Sequence, residues 1–369
     1  MTKVCTRCIM TNKGDSTIRF DRNGVCDYCT QALERKPLEY FPNEEGSKKI
    51  EALIAEIKEY GKDLKYDCLM GLSGGLDSSY LAYLGFKWGL RILAVHADDG
   101  FDTPFAKSNI QKIVDACNID LINVKPDERE FDDLTLAFMK ASLPNLAIPQ
   151  DNAIASVLYN LAKAENIKYF LSGDNFALES ILQRGNTYST DDVTHIRYIQ
   201  KRFGSLPPDK LKIISRKEKQ YLRDKLGIKT IKPLNYIEYN KERAINELKD
   251  FCGYQYYEAK HYESVFTRFL QAYYLPEKFD VDKRTSHLSS LVIDGQMTRE
   301  DALKEMKNPP IRQEQAESDI GFVCQKFEIT REEFDAIMAL PPKRHTDYKI
   351  DRKVRCRRFL SKLKRKFLK

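Results

Sequence analysis

The chain has 369 residues, of which 42% are hydrophobic and 31% charged, and a formal charge of +7. That length implies two or three cores rather than one, and no apolar run approaches a membrane span. Ten Lys or Arg and no acid fall within residues 352–369, so the rest of the chain is about three charges negative and does not by itself call for nucleic acid.

Nine cysteines, an odd number, and an N-terminus without a secretory apolar stretch read as reduced thiols in a cytoplasmic protein. Cys5 and Cys8 form one C-x₂-C pair and Cys26 and Cys29 a second, with 17 residues between them. This is the spacing of a tetrahedral thiolate zinc site, with Gly24 easing the second knuckle and Arg7 and Arg22 offsetting charge. Four sulfur ligands leave no place for water, so Zn²⁺ here is structural; an iron–sulfur cluster is the competing reading. Residues 31–45, with Pro37 and Pro42, read as a linker.

Ile50, Leu53, Ile54, Ile57 and Tyr60 recur at helical spacing, closed by Gly61. A buried strand around Leu69, Met70 and Leu72 then turns at Ser73-Gly74-Gly75 into a helix carrying Asp77, Ser78 and Ser79. Glycines at such a bend free the backbone and leave no Cβ between its amides and a ligand. Amides joined to a helix N-terminus hold an anion. Ser73, Ser78 and Ser79 add hydroxyls, and Asp77 adds a carboxylate suited to Mg²⁺ beside a phosphate. No lysine stands where a Walker loop requires one.

A second strand, 91–98, ends in His96, Ala97 and Asp98, at the sheet edge where α/β folds bind ligands, so these three are expected beside adenine or ribose. A packed strand histidine is an equal reading of His96. Residues 104–117 read as a helix, 121–124 as a strand, 130–143 and 151–165 as helices, and 168–175 as a strand ending in Gly173 and Asp174. This alternation implies right-handed crossovers and a doubly wound parallel α/β sheet. Gly173 allows close approach to an α-phosphate. Asp174 either serves the site or caps the next helix. Residues 183–223 read as irregular or helical insertions. A helix follows with Lys241 at its start, placed either on the polyphosphate or in solvent.

Residues 254–310 are rich in aromatics beside Lys260, His261, Tyr262 and Glu263, with Lys283, Arg284 and His287 further on. A Tyr-rich helical core is the default reading, and a sugar or nucleotide pocket the alternative. The basic segment 352–369, with apolar residues interspersed, suits either an amphipathic helix on an anionic membrane face or a solubilising tail.

The Ser-Gly-Gly-Leu-Asp-Ser-Ser loop resembles that of the PP-loop ATP pyrophosphatases. Together with the cysteine pairs, Gly173-Asp-Asn-Phe176, Lys260-His-Tyr-Glu-Ser264, Leu275-Pro-Glu-Lys-Phe279 and Asp282-Lys-Arg284, the chain is similar over about residues 1–310 to the N-acetyl sugar amidotransferases of surface polysaccharide and nonulosonic acid biosynthesis. The last 60 residues fall outside that resemblance. It implies an adenine nucleotide alpha-hydrolase-like sheet with an N-terminal zinc knuckle module and a C-terminal helical region. Boundaries are expected at 1–40 (zinc module), 41–245 (ATP pyrophosphatase domain), 246–345 (helical substrate and partner region) and 346–369 (basic tail).

The resemblance further implies that MgATP adenylylates an acetamido carbonyl of a sugar, nucleotide-linked or free, and that ammonia then displaces AMP to give an acetamidino sugar. Asp77, Asp174 and Lys241 are the implied catalytic groups, the loop holds ATP, and residues 260–263 with Lys283 and Arg284 hold substrate. Residue 2 is Thr, which excludes an N-terminal cysteine glutaminase. Ammonia is therefore expected from partners similar to the glutaminase and cyclase subunits of imidazole glycerol phosphate synthase. A tRNA-thiolating enzyme is the alternative; it needs a catalytic cysteine near the nucleotide, for which Cys68, Cys117 and Cys252 are the weak candidates.

Overall fold

A computed structural model describes residues 2–256 and 262–355. Its centre is a five-stranded, all-parallel sheet in the order β3-β2-β1-β4-β5, built from β1 (Cys68–Gly71), β2 (Ile92–Ala97), β3 (Asp120–Val124), β4 (Tyr169–Leu171) and β5 (Lys229–Ile231). β1 is central: Leu69 is in register with Leu93 on one side and Phe170 on the other. Its side chains are buried on both faces, as a crossover-wrapped strand requires. The order of strands reverses between β1 and β4, so a crevice opens there at the carboxyl ends.

Local chemistry sets the helices. Between β1 and β2 runs α3 (Leu76–Lys87), and between β2 and β3 runs α4 (Pro104–Cys117). The Thr103 hydroxyl caps α4, Pro104 opens it and left-handed Asn118 ends it. The β3–β4 crossover holds α5 (Glu128–Lys140) and α6 (Ile148–Ala164). The short helix α7 (Phe176–Glu179) follows β4, and α8 (Val193–Phe203) and α9 (Arg216–Leu226) precede β5.

Two expectations are corrected. The stretch 31–45 is mostly helix: α1 (Asp27–Glu39) runs on through Pro37, and α2 (Glu44–Gly61) starts at an Asn43 cap. The fourth strand stops at Leu171, leaving Ser172–Asp174 as a loop. The helical reading of 183–223 holds, with α8 inside it and α9 running on to Leu226, and an edge strand of three residues that was not expected follows.

Beyond α10 (Lys241–Cys252) lie α11 (Val265–Phe269), a π-helical turn (Leu270–Tyr274), α12 (Leu275–Phe279), α13 (Arg284–Asp294), α14 (Arg299–Glu305), α15 (Gln313–Lys326) and α16 (Arg331–Ala339). Here the core reading of the aromatics holds: Phe266, Phe269 and Tyr274 are buried with Phe138 and Ile196 from α5 and α8. A second cluster joins the cysteine module, through Met10 and Tyr28, to Leu81 of α3 and the sheet face carrying Ile92. A third packs α6 and α9 on the opposite face.

Candidate active site

The bend after β1 is shaped by its glycines. Gly74 has φ +75°, and a Cβ there would lie 2.5 Å from the Ala106 carbonyl oxygen. Gly173, across the crevice, would bring a Cβ to 3.3 Å from the Asp77 backbone. Gly74 thus needs glycine for its conformation, while at Gly173 a side chain would fit only tightly against the bend. Inside the loop, Ser73 Oγ accepts from the Gly75 amide at 3.2 Å, and Ser78 Oγ donates to the Gly75 carbonyl at 3.2 Å.

Side chains from outside the loop hold it. The Tyr254 hydroxyl donates to the Gly74 carbonyl at 3.3 Å. His96 Nδ1 donates to the Leu72 carbonyl at 3.0 Å while Nε2 faces Asp102 Oδ2 at 2.8 Å. Burial works against the charged ring, yet Asp102 and the carbonyl outweigh it and raise the His96 pKa. Asp77 Oδ1 accepts from the Tyr239 hydroxyl at 2.5 Å and from Asn175 Nδ2 at 3.3 Å.

A cavity of 510 Å³ opens over the bend. Ser73, Gly75, Asp77 and Ser78 form one wall, and Gly173 and Asp174 a second. Lys241, at the first position of α10, stands in it with its ammonium 4.9 Å from the Tyr256 ring centre. Asp174 is not the helix cap; Asn175 accepts from Leu178 N–H and fills that role. Asp174 instead pairs with Lys232 at 3.3 Å. The far wall comes from the C-terminal region, with Glu263, Arg284, His287 and Glu305.

Other expected site residues lie elsewhere. Ser79 is fully buried behind the bend. Gly74 contributes shape and a carbonyl rather than cavity surface. His96 braces the loop from behind, because its ring points at Leu72 and Asp102, and Asp98 faces Lys125 and Lys107 at 3.4 and 3.9 Å. Ala97 lines a separate cavity of 440 Å³ against α6. Tyr262 donates to the Pro310 carbonyl and lines an adjoining cavity of 550 Å³ that shares Tyr256, Arg284 and Glu305 with the first. Lys283 lies outside both linings, its pKa lowered by burial. Lys260 and His261 lie outside the described residues.

The sequence reading missed Asn175, Lys232, Tyr239 and Glu305. Only Asn175 carried a local signal, as a cap three residues before the Leu178 amide. Among the described residues no cysteine lines the main cavity. Burial pushes the Cys68 thiol above its ordinary range and that of Cys117 up to about 12, which suits packing rather than thiolate chemistry.

At the other end of the second cluster, the sulfurs of Cys5, Cys8, Cys26 and Cys29 all lie within 4.8 Å of one another. Cys5 and Cys29 are 3.7 Å apart and Cys8 and Cys26 3.8 Å, close to the roughly 3.8 Å edge of four sulfurs around one tetrahedral ion. Amides of Met10 and Cys26 point at Cys8 and Cys5 sulfurs, at 3.3 and 3.2 Å. The knuckle is clamped from α14: Arg299 Nη2 donates to the Cys5 carbonyl at 2.9 Å and Nε to the Cys8 carbonyl at 3.0 Å.

Residues 263–364 match the family model described as "LPS biosynthesis protein WbpG-like, C-terminal domain". That match extends well beyond residue 310, where the sequence resemblance was expected to end. No curated protein matches the chain. Among solved structures, an NMN synthetase from Francisella tularensis overlaps at 17% identity and TM-score 0.29, over 61% of this chain and 90% of that one. An NAD+ synthetase from Burkholderia pseudomallei overlaps at 16% and 0.31, over 63% and 95%. A predicted tRNA methyltransferase subunit from Methanocaldococcus jannaschii overlaps at 15% and 0.29, over 50% and 75%. Overlaps this loose say nothing about substrate.

Proposed function

We propose, for a chain whose residues 263–364 match the WbpG-like C-terminal domain and whose parallel sheet ends in the Ser73–Ser79 bend, a PP-loop ATP-dependent amidotransferase acting on an acetamido sugar. The observation that supports it most is the single cavity facing the bend, Asp77, Gly173, Asp174 and Lys241 together with a wall from the WbpG-like region. ATP is a substrate there. Its β,γ-phosphates fit the loop amides and the Ser73 and Ser78 hydroxyls. Asp77 and Asp174 are the residues suited to Mg²⁺, which supplies charge neutralisation on the phosphates.

An acetamido carbonyl oxygen attacks the α-phosphorus, and pyrophosphate departs with the bridging oxygen's electrons. The resulting O-adenylyl imidate carries a leaving group that the amide lacked. Ammonia adds to its carbon, a proton is lost, and AMP leaves with the former carbonyl oxygen, giving the acetamidine. Lys241 offers positive charge to the phosphorus centre as it reacts. The enclosing C-terminal wall keeps water from the imidate. Ammonia comes, on this reading, from a glutaminase subunit acting with a cyclase-like subunit, and the cysteine cluster holds Zn²⁺ as a structural ion.

The test is mass spectrometry of diacetamido sugars, free and nucleotide-linked, incubated with MgATP and ammonium. Replacement of one oxygen by NH, with AMP and pyrophosphate formed in equal amounts and lost in Asp77→Asn, is the expected result. Turnover that persists in Asp77→Asn, or no AMP with any acetamido sugar, overturns the reading.

A further inference from the structure

A second cavity, of 610 Å³, shares no lining residue with the one over the bend. It is walled by α8 from Val193 to Lys201, by the start of α9 and by residues 349–354. Six cations line it: Arg197, Lys201, Arg216, Lys217, Lys349 and Lys353. Among the described residues only Arg216 is ion-paired, to Asp191 at 3.2 Å.

Three aspartates share the wall, and each is already engaged. Asp191 meets Arg216 and the Ser189 hydroxyl. Asp192 caps α8 through the His195 amide and accepts the Tyr188 hydroxyl at 2.5 Å. Asp351 accepts from the Lys353 and Val354 amides. Six cations against three carboxylates leave three positive charges in one concavity, held by three separate segments that repel one another. A hollow of this size has the dimensions of a small-ligand site. A lipid face or a nucleic acid strand calls instead for an open surface.

We propose that this groove is a second anion site, taking a nucleoside diphosphate whose phosphates carry roughly three negative charges. Exposed Arg197, Lys201 and Lys217 on two helices and Lys349 and Lys353 on the C-terminal strip reach the phosphates from both sides. Tyr198, in the same lining, offers an aromatic face to the base. The bound ligand ties α8 and α9 to the C-terminal strip, remote from the reacting atoms, as an effector does. The inference is independent of the reaction assigned to the bend.

Calorimetric titration of the full chain with ADP tests it, beside the doubly reversed variant Lys201→Glu/Lys217→Glu, whose positions are exposed. One class of ADP site is expected to weaken by about a hundredfold in the variant and to weaken with salt in the parent. A second variant, Lys201→Gln/Lys217→Gln, is expected to show a smaller loss of the same site. If every ADP site survives both changes, the proposal is overturned. It is overturned equally if those changes abolish binding to phosphatidylglycerol vesicles or to tRNA and leave ADP untouched, since the groove then belongs to a membrane or nucleic acid surface.

Discussion

The Tyr239 hydroxyl donates to Asp77 Oδ1 at 2.5 Å, and Tyr239 is only 1% exposed. Burial and the neighbouring carboxylate push its pKa far up, so the phenol is a permanent donor. It fixes one carboxylate oxygen, with Asn175 sharing the same atom, and so sets how Asp77 faces the cavity. Tyr239→Phe is expected to cost about 1.5–3 kcal/mol of transition-state stabilisation, from the loss of a hydrogen bond to a charged group. AMP formation falls and the Mg²⁺ concentration for half activity rises. An unchanged Mg²⁺ dependence would mean that Asp77 holds its position without Tyr239.

Gly74→Ala places a methyl group 2.5 Å from the Ala106 carbonyl at φ +75°. The strain is about 1–3 kcal/mol and falls on the loop itself. The expected result is near-complete loss of AMP formation with an unaltered circular dichroism spectrum. Full activity would show that the bend can reshape.

Cys26→Ser is expected to strip the bound metal, read by elemental analysis, and to lower the melting temperature, because structural sites supply folding energy. Arg299→Met separates that effect from docking. It leaves two knuckle carbonyls without their donor, costing about 1–3 kcal/mol, while metal content stays at parent level. Metal retained in Cys26→Ser would refute the four-sulfur site.

His195 gives a pH signature. It is fully buried, with Nε2 3.0 Å from His345 Nδ1 and Nδ1 on the Lys349 carbonyl. Burial holds its pKa below the ordinary 6.5, although Lys349 and Asp192 pull the other way. The unfolded chain therefore takes up a proton near pH 6.5 before the folded chain does. This contribution to stability is complete above 6.5 and is lost as pH falls toward the depressed value. In urea unfolding, the parent should lose more stability than His195→Gln between pH 7.5 and 5.5. Equal losses would remove His195 from the acid limb.

Where chemistry is local, the sequence could be read directly. The bend, both cysteine pairs and α4 each carry their signals within a few residues, in glycines, thiols, or a Thr-Pro start with an Asn stop. β5 carries none: Lys229-Thr-Ile231 is a short edge strand without a period to detect. The helix through Pro37 overrides a breaker because its Tyr28, Cys29 and Ala32 pack into the core. His96 shows a different limit. Strand position predicted the sheet end correctly, but side-chain direction depended on Asp102, six residues on and past a turn. Tyr239 meets Asp77, Lys232 meets Asp174 and Glu305 lines the cavity only through tertiary packing, which no single sequence displays.

The Arg299 clamp on the Cys5 and Cys8 carbonyls has a consequence for biosynthesis. The knuckle leaves the ribosome well before the residues that seat it. Its seat is supplied by residues almost three hundred positions later, including the Ser289 hydroxyl beneath the Ile9 amide and Asp280 beside Lys13. The knuckle must therefore stay undocked until those residues are made, and over that interval its four thiols lack the cover that the folded chain gives them.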